Sequence, residues 1–451
     1  MRRLRETFTV IGLLILIVAF YSSSFHHTMQ CDEVNTLYKY ASNPISALFA
    51  YTTPNNHLIH SFGVWLTTSL MGFSHIAVRY TAFMGSILTV AMAYHIGRKA
   101  FSHHAGLASM ALLVMSLGLE EFTISARGYT LSTLLTLILI DLIFLSEHQQ
   151  SRRRNYAIIL VSYLLLMVLP SMVLLLFPIF IWKLWQLQQT RSKQHIFDIV
   201  GMCVGGLGAF FFYLPSILSG SALEHLGGFG EPSVLILFNQ WMKLLYTPFS
   251  FGVISLLATA IGVTVLIVKS RQQKLLQGVA LILITATGVA ILQYMVTGHT
   301  LYARNYFYLL PVMTLLGGIG LSTILRRWTP VIAFSIVLVM SFSEFPSSGA
   351  IAINQLIHAI PEYQPETELL GRHACHITAA YYEITETLQE DIQLWSPDSQ
   401  AESVMIPIPV GFPMSVERAI NNNDYSIDQF TECQLVEDNY DWLDIYICIP
   451  T

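Results

Sequence analysis

Cys31-Asp-Glu-Val-Asn-Thr-Leu-Tyr-Lys-Tyr40 follows the first long apolar run of the chain, and its Asp32–Glu33 pair offers carboxylates suited to general-base work. Such a pair beside an apolar layer is costly when aimed into a pocket. At a helix start the same pair is simply favoured by the dipole and solvated. Three arginines, Arg79, Arg127 and Arg304, each stand at the edge of an apolar run. Singly, each reads as an anchor with its stem in the apolar layer and its head in water. As a set, they suggest an anion held at a membrane surface. A guanidinium meets phosphate bidentately, so a lipid phosphate is the natural candidate. His57 and His60 stand three apart behind Asn55-Asn56, and with no third ligand at metal-site spacing they read as hydrogen-bonding groups. Tyr129 and Tyr306 close the two arginine motifs, Ser125-Ala-Arg-Gly-Tyr129 and Tyr302-Ala-Arg-Asn-Tyr306, and Glu120-Glu121 could add a second acidic contact.

The elements that must position these residues are membrane helices. The chain has 451 residues, of which 11% are charged and 54% hydrophobic, with a mean hydropathy of +0.56. A soluble chain carries about 25% charged residues. The apolar residues fall in long runs such as Val10–Phe20, Leu131–Leu145 and Val279–Val296. Runs able to cross lie near 7–25, 79–97, 104–121, 129–146, 155–169, 171–187, 197–219, 250–268, 276–297, 304–325 and 329–345. Met1-Arg-Arg-Leu-Arg precedes the first, and without a small-x-small cleavage site it reads as a retained anchor.

One further segment, 57–72, is ambiguous. Its 16 residues reach about 24 Å as a helix, short of the roughly 30 Å hydrocarbon core. The basic residues decide the matter. With 57–72 lying at the interface, 16 of the 23 basic residues fall on one side, including Arg98-Lys99, Arg152-Arg-Arg154, Lys183 and Arg326-Arg327. If it crossed, Arg152-Arg-Arg would face outward. The expectation is a polytopic all-α membrane domain of about 11 spans over 1–345, N-in and C-out, with a first outer loop at 22–78.

Residues 346–451 read as a small acidic α/β domain outside the membrane. From Phe345 onward there are 17 acidic and two basic residues. A helix is expected over His373–Leu388, and strands over Ile392–Trp395, Val404–Val410 and Trp442–Ile449. Cys31, Cys375, Cys433 and Cys448 all fall on the outer side, where an oxidising space permits disulfides. A bond within the tail, Cys433–Cys448 or Cys375–Cys433, and free buried thiols stand as open alternatives. No basic patch with interleaved aromatics suggests nucleic acid.

In order and topology, these features resemble the GT-C class of membrane glycosyltransferases, nearest to the protein O-mannosyltransferase and lipid A aminoarabinose transferase families. The resemblance rests on Asp32-Glu-Val, Asn55-Asn-His-Leu58, Gly72-Phe-Ser-His-Ile-Ala-Val-Arg-Tyr80, Tyr94-His-Ile-Gly-Arg-Lys-Ala-Phe101, Ser125-Ala-Arg-Gly-Tyr129 and Tyr302-Ala-Arg-Asn-Tyr-Phe-Tyr-Leu-Leu-Pro311. It is good from about 7 to 150, patchy to 325 and absent in the tail.

The resemblance implies a polyprenyl-phosphate-linked sugar donor and an acceptor hydroxyl on a lipid, glycan or protein, with inversion at the anomeric carbon. Asp32 becomes the base and Glu33 its neighbour. Arg127, Arg304 and Arg79 hold the donor phosphate, while His57, His60, Tyr129 and Tyr306 line the cavity. Glu120-Glu121 do not match the second acidic motif of metal-dependent oligosaccharyltransferases, so no metal or other cofactor is called for. The compact chain points to a bacterial inner membrane. A transporter or flippase of lipid-linked saccharide, or a non-catalytic membrane scaffold, are the rival readings. A transporter should show internal repeats and ionisable residues at mid-membrane.

Overall fold

The computed structural model describes residues 2–23, 33–34, 36–49, 56–72, 74–116, 122–123, 125–147, 151–218, 233–238, 251–268, 273–298 and 300–340. It also describes strand segments at 367–369, 403–409, 430–436 and 443–450, and single residues at 25, 29, 51 and 119. The helices are α1 (Arg2–Ser23), α2 (Pro44–Phe49), α3 (Leu58–Met71), α4 (His75–Ala100), α5 (His103–Val114), α6 (Tyr129–Ile140), α7 (Arg152–Val168), α8 (Val173–Thr190), α9 (Lys193–Leu218), α10 (Phe251–Val268), α11 (Gln273–Thr297), α12 (Leu309–Leu325) and α13 (Thr329–Met340). Among the described residues, five stretches, His75–Ala100, Pro170–Thr190, Lys193–Leu218, Gln277–Thr297 and Leu309–Val339, are long and apolar enough to cross a membrane.

Local chemistry sets the helix ends. Ser74, Ser102 and Ser151 each accept the backbone N–H three residues on, at 3.1, 3.1 and 3.2 Å, which caps α4, α5 and α7. Two expected runs are shorter than the hydropathy suggests. The run at 104–121 breaks after Val114, because Ser116 caps a fresh turn by accepting from Leu119 N–H. The run at 304–325 begins as a helix only at Leu309, leaving Arg304 on a 3-10 turn, Ala303–Tyr306.

In lipid, helices gain nothing by hiding apolar surface from each other, so close packing and hydrogen bonds must join them. Gly97 of α4 meets Gly106 of α5, and Gly262 of α10 crosses Gly320 of α12. A Cβ at either of the last two would overlap the facing carbonyl of Leu316 or Ala258. Thr130 donates to the Ala82 carbonyl at 3.0 Å and Thr89 to that of Thr130 at 3.1 Å, binding α4 to α6.

A charged network closes one end of this bundle. Arg154, in the first turn of α7, grips Asp198 of α9 through two bonds of 2.6 and 3.2 Å. Lys183 of α8 lies 2.8 Å from Asp198 and 3.1 Å from Glu147, and Gln194 donates to Asp198 at 2.9 Å. Lys183 and Asp198 are fully buried. Beyond the end of α6, a π-helical turn at Asp141–Leu145 brings Asp141 to Lys99 at 2.7 Å.

The chain divides into two compact units. One comprises 1–25 and 40–343; the other comprises 26–39 and 344–451. In the second, four strands form one sheet in the order β1 (Thr367–Leu369), β2 (Ser403–Pro409), β4 (Leu443–Pro450), β3 (Phe430–Val436). β1 and β2 are parallel, and the other pairings are antiparallel. The expected strands at 404–410 and 442–449 correspond to β2 and β4. β3 was not legible, because a bulge between Phe430 and Glu432 interrupts its alternation. The expected helix 373–388 and strand 392–395 lie outside the described residues.

Candidate functional site

The opposite ends of α6 and α7 lie beside several of the residues that the sequence singled out. His57 sits at the start of α3, Arg127 and Gly128 just before α6, Val168 at the end of α7, and Arg304 and Tyr306 on the turn before α12. The Tyr129 ring is the floor under His57 and Arg127. His57 meets it edge-on at 5.0 Å between centroids, and the Arg127 guanidinium lies 5.1 Å from its centre. Phe122 and Phe307 flank the same ring at 4.1 and 5.9 Å, and Phe307 ties the segment after Arg304 to the floor. The Arg304 turn also packs against the 3-10 turn Pro170–Met172 that follows α7.

Gly128 allows this convergence. A Cβ there would stand 2.8 Å from Val168 Cγ1 and 3.0 Å from His57 Cβ, closer than real contacts allow. Behind His57, the Ser61 hydroxyl donates to Asn56 Oδ1 at 2.7 Å, with both residues buried.

Burial and charge set the protonation of the histidines. His57 is held well below the usual imidazole range, first by burial and then by Arg127, His60 and Arg304. His60 is lowered to about 3 by burial and by Arg127. Both are therefore neutral at pH 7. Their ring nitrogens are buried, and the Val168 backbone faces the His57 ring. The positive charge comes from the two arginines, both of which bear on His57. Arg127 is only 6% exposed, which rules out the anchor reading for it. Arg304 is half-buried and stacks on Tyr302 at 4.5 Å.

Tyr306 faces an apolar cavity of about 290 Å³ lined by Leu237, Phe238, Ala286, Ala290 and Met313 among others. Its buried hydroxyl has no hydrogen-bond partner among the described residues, and burial raises its pKa to about 12.

The other candidates are placed differently. Arg79 is buried on α4 and donates to the Phe25 carbonyl at 3.3 Å. The described contacts that gather Arg127, Arg304 and His57 do not include it. Glu33 forms a helical turn with Val34 and is fully buried. Asp32, Glu120 and Glu121 lie outside the described residues. Sequence reasoning missed Gly128, Phe122 and Phe307. Gly128 carried a signal of sorts, a glycine wedged between two residues that were singled out.

The sequence model for dolichyl-phosphate-mannose-protein mannosyltransferase matches residues 55–217. Among solved structures, ArnT from Cupriavidus metallidurans matches in its apo state with a TM-score of 0.58 at 10% identity, over 98% of each chain. Its undecaprenyl-phosphate complex matches with 0.57 at 10% identity, over 98% of this chain and 97% of that one. No curated protein matches the chain in sequence. The chain thus has an ArnT-like fold and resembles the GT-C glycosyltransferases, as its motifs implied.

Proposed function

We propose that the protein is an inverting glycosyltransferase that moves a sugar from a polyprenyl-phosphate donor to an acceptor hydroxyl on the outer face of a bacterial inner membrane. The observation that carries this reading is the convergence of Arg127 and Arg304 on a buried, uncharged His57 above the Tyr129 ring. A guanidinium pair suits an anion, and its fork matches a phosphate. The solved relative that carries undecaprenyl phosphate supports the same ligand class.

In this reading the acceptor oxygen attacks the anomeric carbon, the bond from that carbon to the phosphate oxygen breaks, and polyprenyl phosphate leaves. Asp32 takes the acceptor's proton, with Glu33 beside it in sequence. Arg127 and Arg304 meet the charge that develops on the departing phosphate, and they are fixed before it forms. The cavity at Tyr306 takes the first isoprene units, since it is apolar and Tyr306 follows Arg304 by two residues in the chain. Eleven crossings with the N-terminus inside put Arg127 and Arg304 outside. The clustering of Lys99, Arg154 and Lys183 at the other helix ends supports that orientation. The reading invokes no metal.

The test is transfer of labelled sugar from a polyprenyl-phosphate donor by purified protein, comparing wild type with Arg127→Ala and Asp32→Asn. Loss in both variants supports the scheme. Full activity in Asp32→Asn removes the base, and no transfer from any such donor by the wild type favours a transporter or scaffold.

A further inference from the structure

We infer that Cys433 and Cys448 form a disulfide across β3 and β4. Sequence alone left Cys375 as an equal partner for Cys433, and the sheet separates the two choices. In the antiparallel pairing of β3 with β4, Cys433 stands directly opposite Cys448. The pairs on either side, Glu432 with Ile449 and Gln434 with Ile447, keep the same register. The bulge that shifts the pairing lies outside this stretch, between Phe430 and Glu432. Directly opposed residues in an antiparallel pair have Cα atoms about 4.5 or 5.5 Å apart, depending on the hydrogen-bonding position. Both separations fall within the roughly 4.4–6.8 Å that a disulfide spans.

The place in the sheet gives the bond a role. β4 is paired on both sides, with Cys448 also opposite Val404 of β2. β3 is paired only to β4 in the described sheet. A link at Cys433–Cys448 pins this edge strand to its inner neighbour and fixes its register. A one-residue slip would turn every side chain of β3 to the other face.

The bond forms by thiol–disulfide exchange with a disulfide-bearing oxidant protein of an oxidising compartment. One cysteine thiolate attacks the oxidant's disulfide and releases one of its sulfurs as a thiol. The second cysteine thiolate then displaces the other. Two electrons pass to the oxidant, and its two sulfurs take up the two protons that the cysteines gave up.

The full chain, purified from membranes without reductant, is alkylated, digested and read by mass spectrometry. The expected result is a linked peptide pair holding Cys433 and Cys448, two hydrogens lighter than the two thiol peptides together. It should persist in Cys375→Ser and Cys31→Ser. It should vanish in protein made in a host lacking its extracytoplasmic thiol oxidant, with both residues then alkylated. Alkylation of both cysteines in the untreated wild type overturns the inference, as does a link from either one to Cys375 or Cys31. The wild-type reading does not depend on any variant folding.

Discussion

Along α7, Arg154 and Val168 stand about 21 Å apart at a rise of 1.5 Å per residue, and the polar groups at these two ends are finished in opposite ways. At the Arg154 end, Arg154, Lys183, Asp198 and Glu147 are buried together, and each cation has a carboxylate within hydrogen-bond reach. At the Val168 end, Arg127 bears on two neutral histidines, His57 and His60, and Arg304 bears on His57. The first set is a lock that holds helix ends together. The second, in the proposed function, is a socket for an anion.

Substitutions at the two ends should therefore fail differently. Asp198→Ala leaves Arg154 and Lys183 buried without their shared carboxylate, and should cost about 3–5 kcal/mol of stability. Thermal unfolding in detergent checks this. Arg127→Ala should lower the turnover of sugar transfer about 10²–10³-fold. If the two variants exchanged phenotypes, the lock and socket would be misassigned.

Gly128→Ala presses on Val168 and His57 and should cost about 1–3 kcal/mol, with a drop in transfer. Gly288→Ala, in open space on α11, is its control and should do neither.

The smallest effect is on pH. His60 is neutral in the fold down to about pH 3, whereas in the unfolded chain it takes a proton below about 6.5. Acid therefore favours the unfolded chain. The His60 contribution is whole above pH 6.5 and falls by about 1.4 kcal/mol per unit as the pH drops toward 3. Melting at pH 7 and pH 5 should show a flatter response in His60→Gln than in wild type.

Much of this division was legible in the sequence, because helix-length apolar runs and the positions of basic residues are strong, local signals. Each of the eleven expected runs carries a helix, and the segment at 57–72 is a helix of only 14 residues, Leu58–Met71. Arg127, Arg304, His57 and Tyr129 were legible as a set because each is a polar exception at the edge of an apolar run. Arg79 shared that signature but makes its described bond to a backbone carbonyl. Type and position in a sequence do not encode what a guanidinium meets across the fold. The pairing of Asp198 with Lys183 went unnoticed for a related reason. They stand on different helices, and only the fold brings them within 2.8 Å of each other. The glycine contacts and the break after Val114 depend on neighbours distant in sequence or on a serine cap, which hydropathy does not weigh.

Binding of undecaprenyl phosphate to the purified protein, measured for wild type, Arg127→Gln and Arg304→Gln, tests the socket most directly. Wild type should bind, and each variant should bind about tenfold or more weakly, since a hydrogen bond to a charged group contributes about 1.5–3 kcal/mol. Equal binding by all three proteins, or no binding by wild type, would contradict the assignment of this end of the bundle as a lipid-phosphate site.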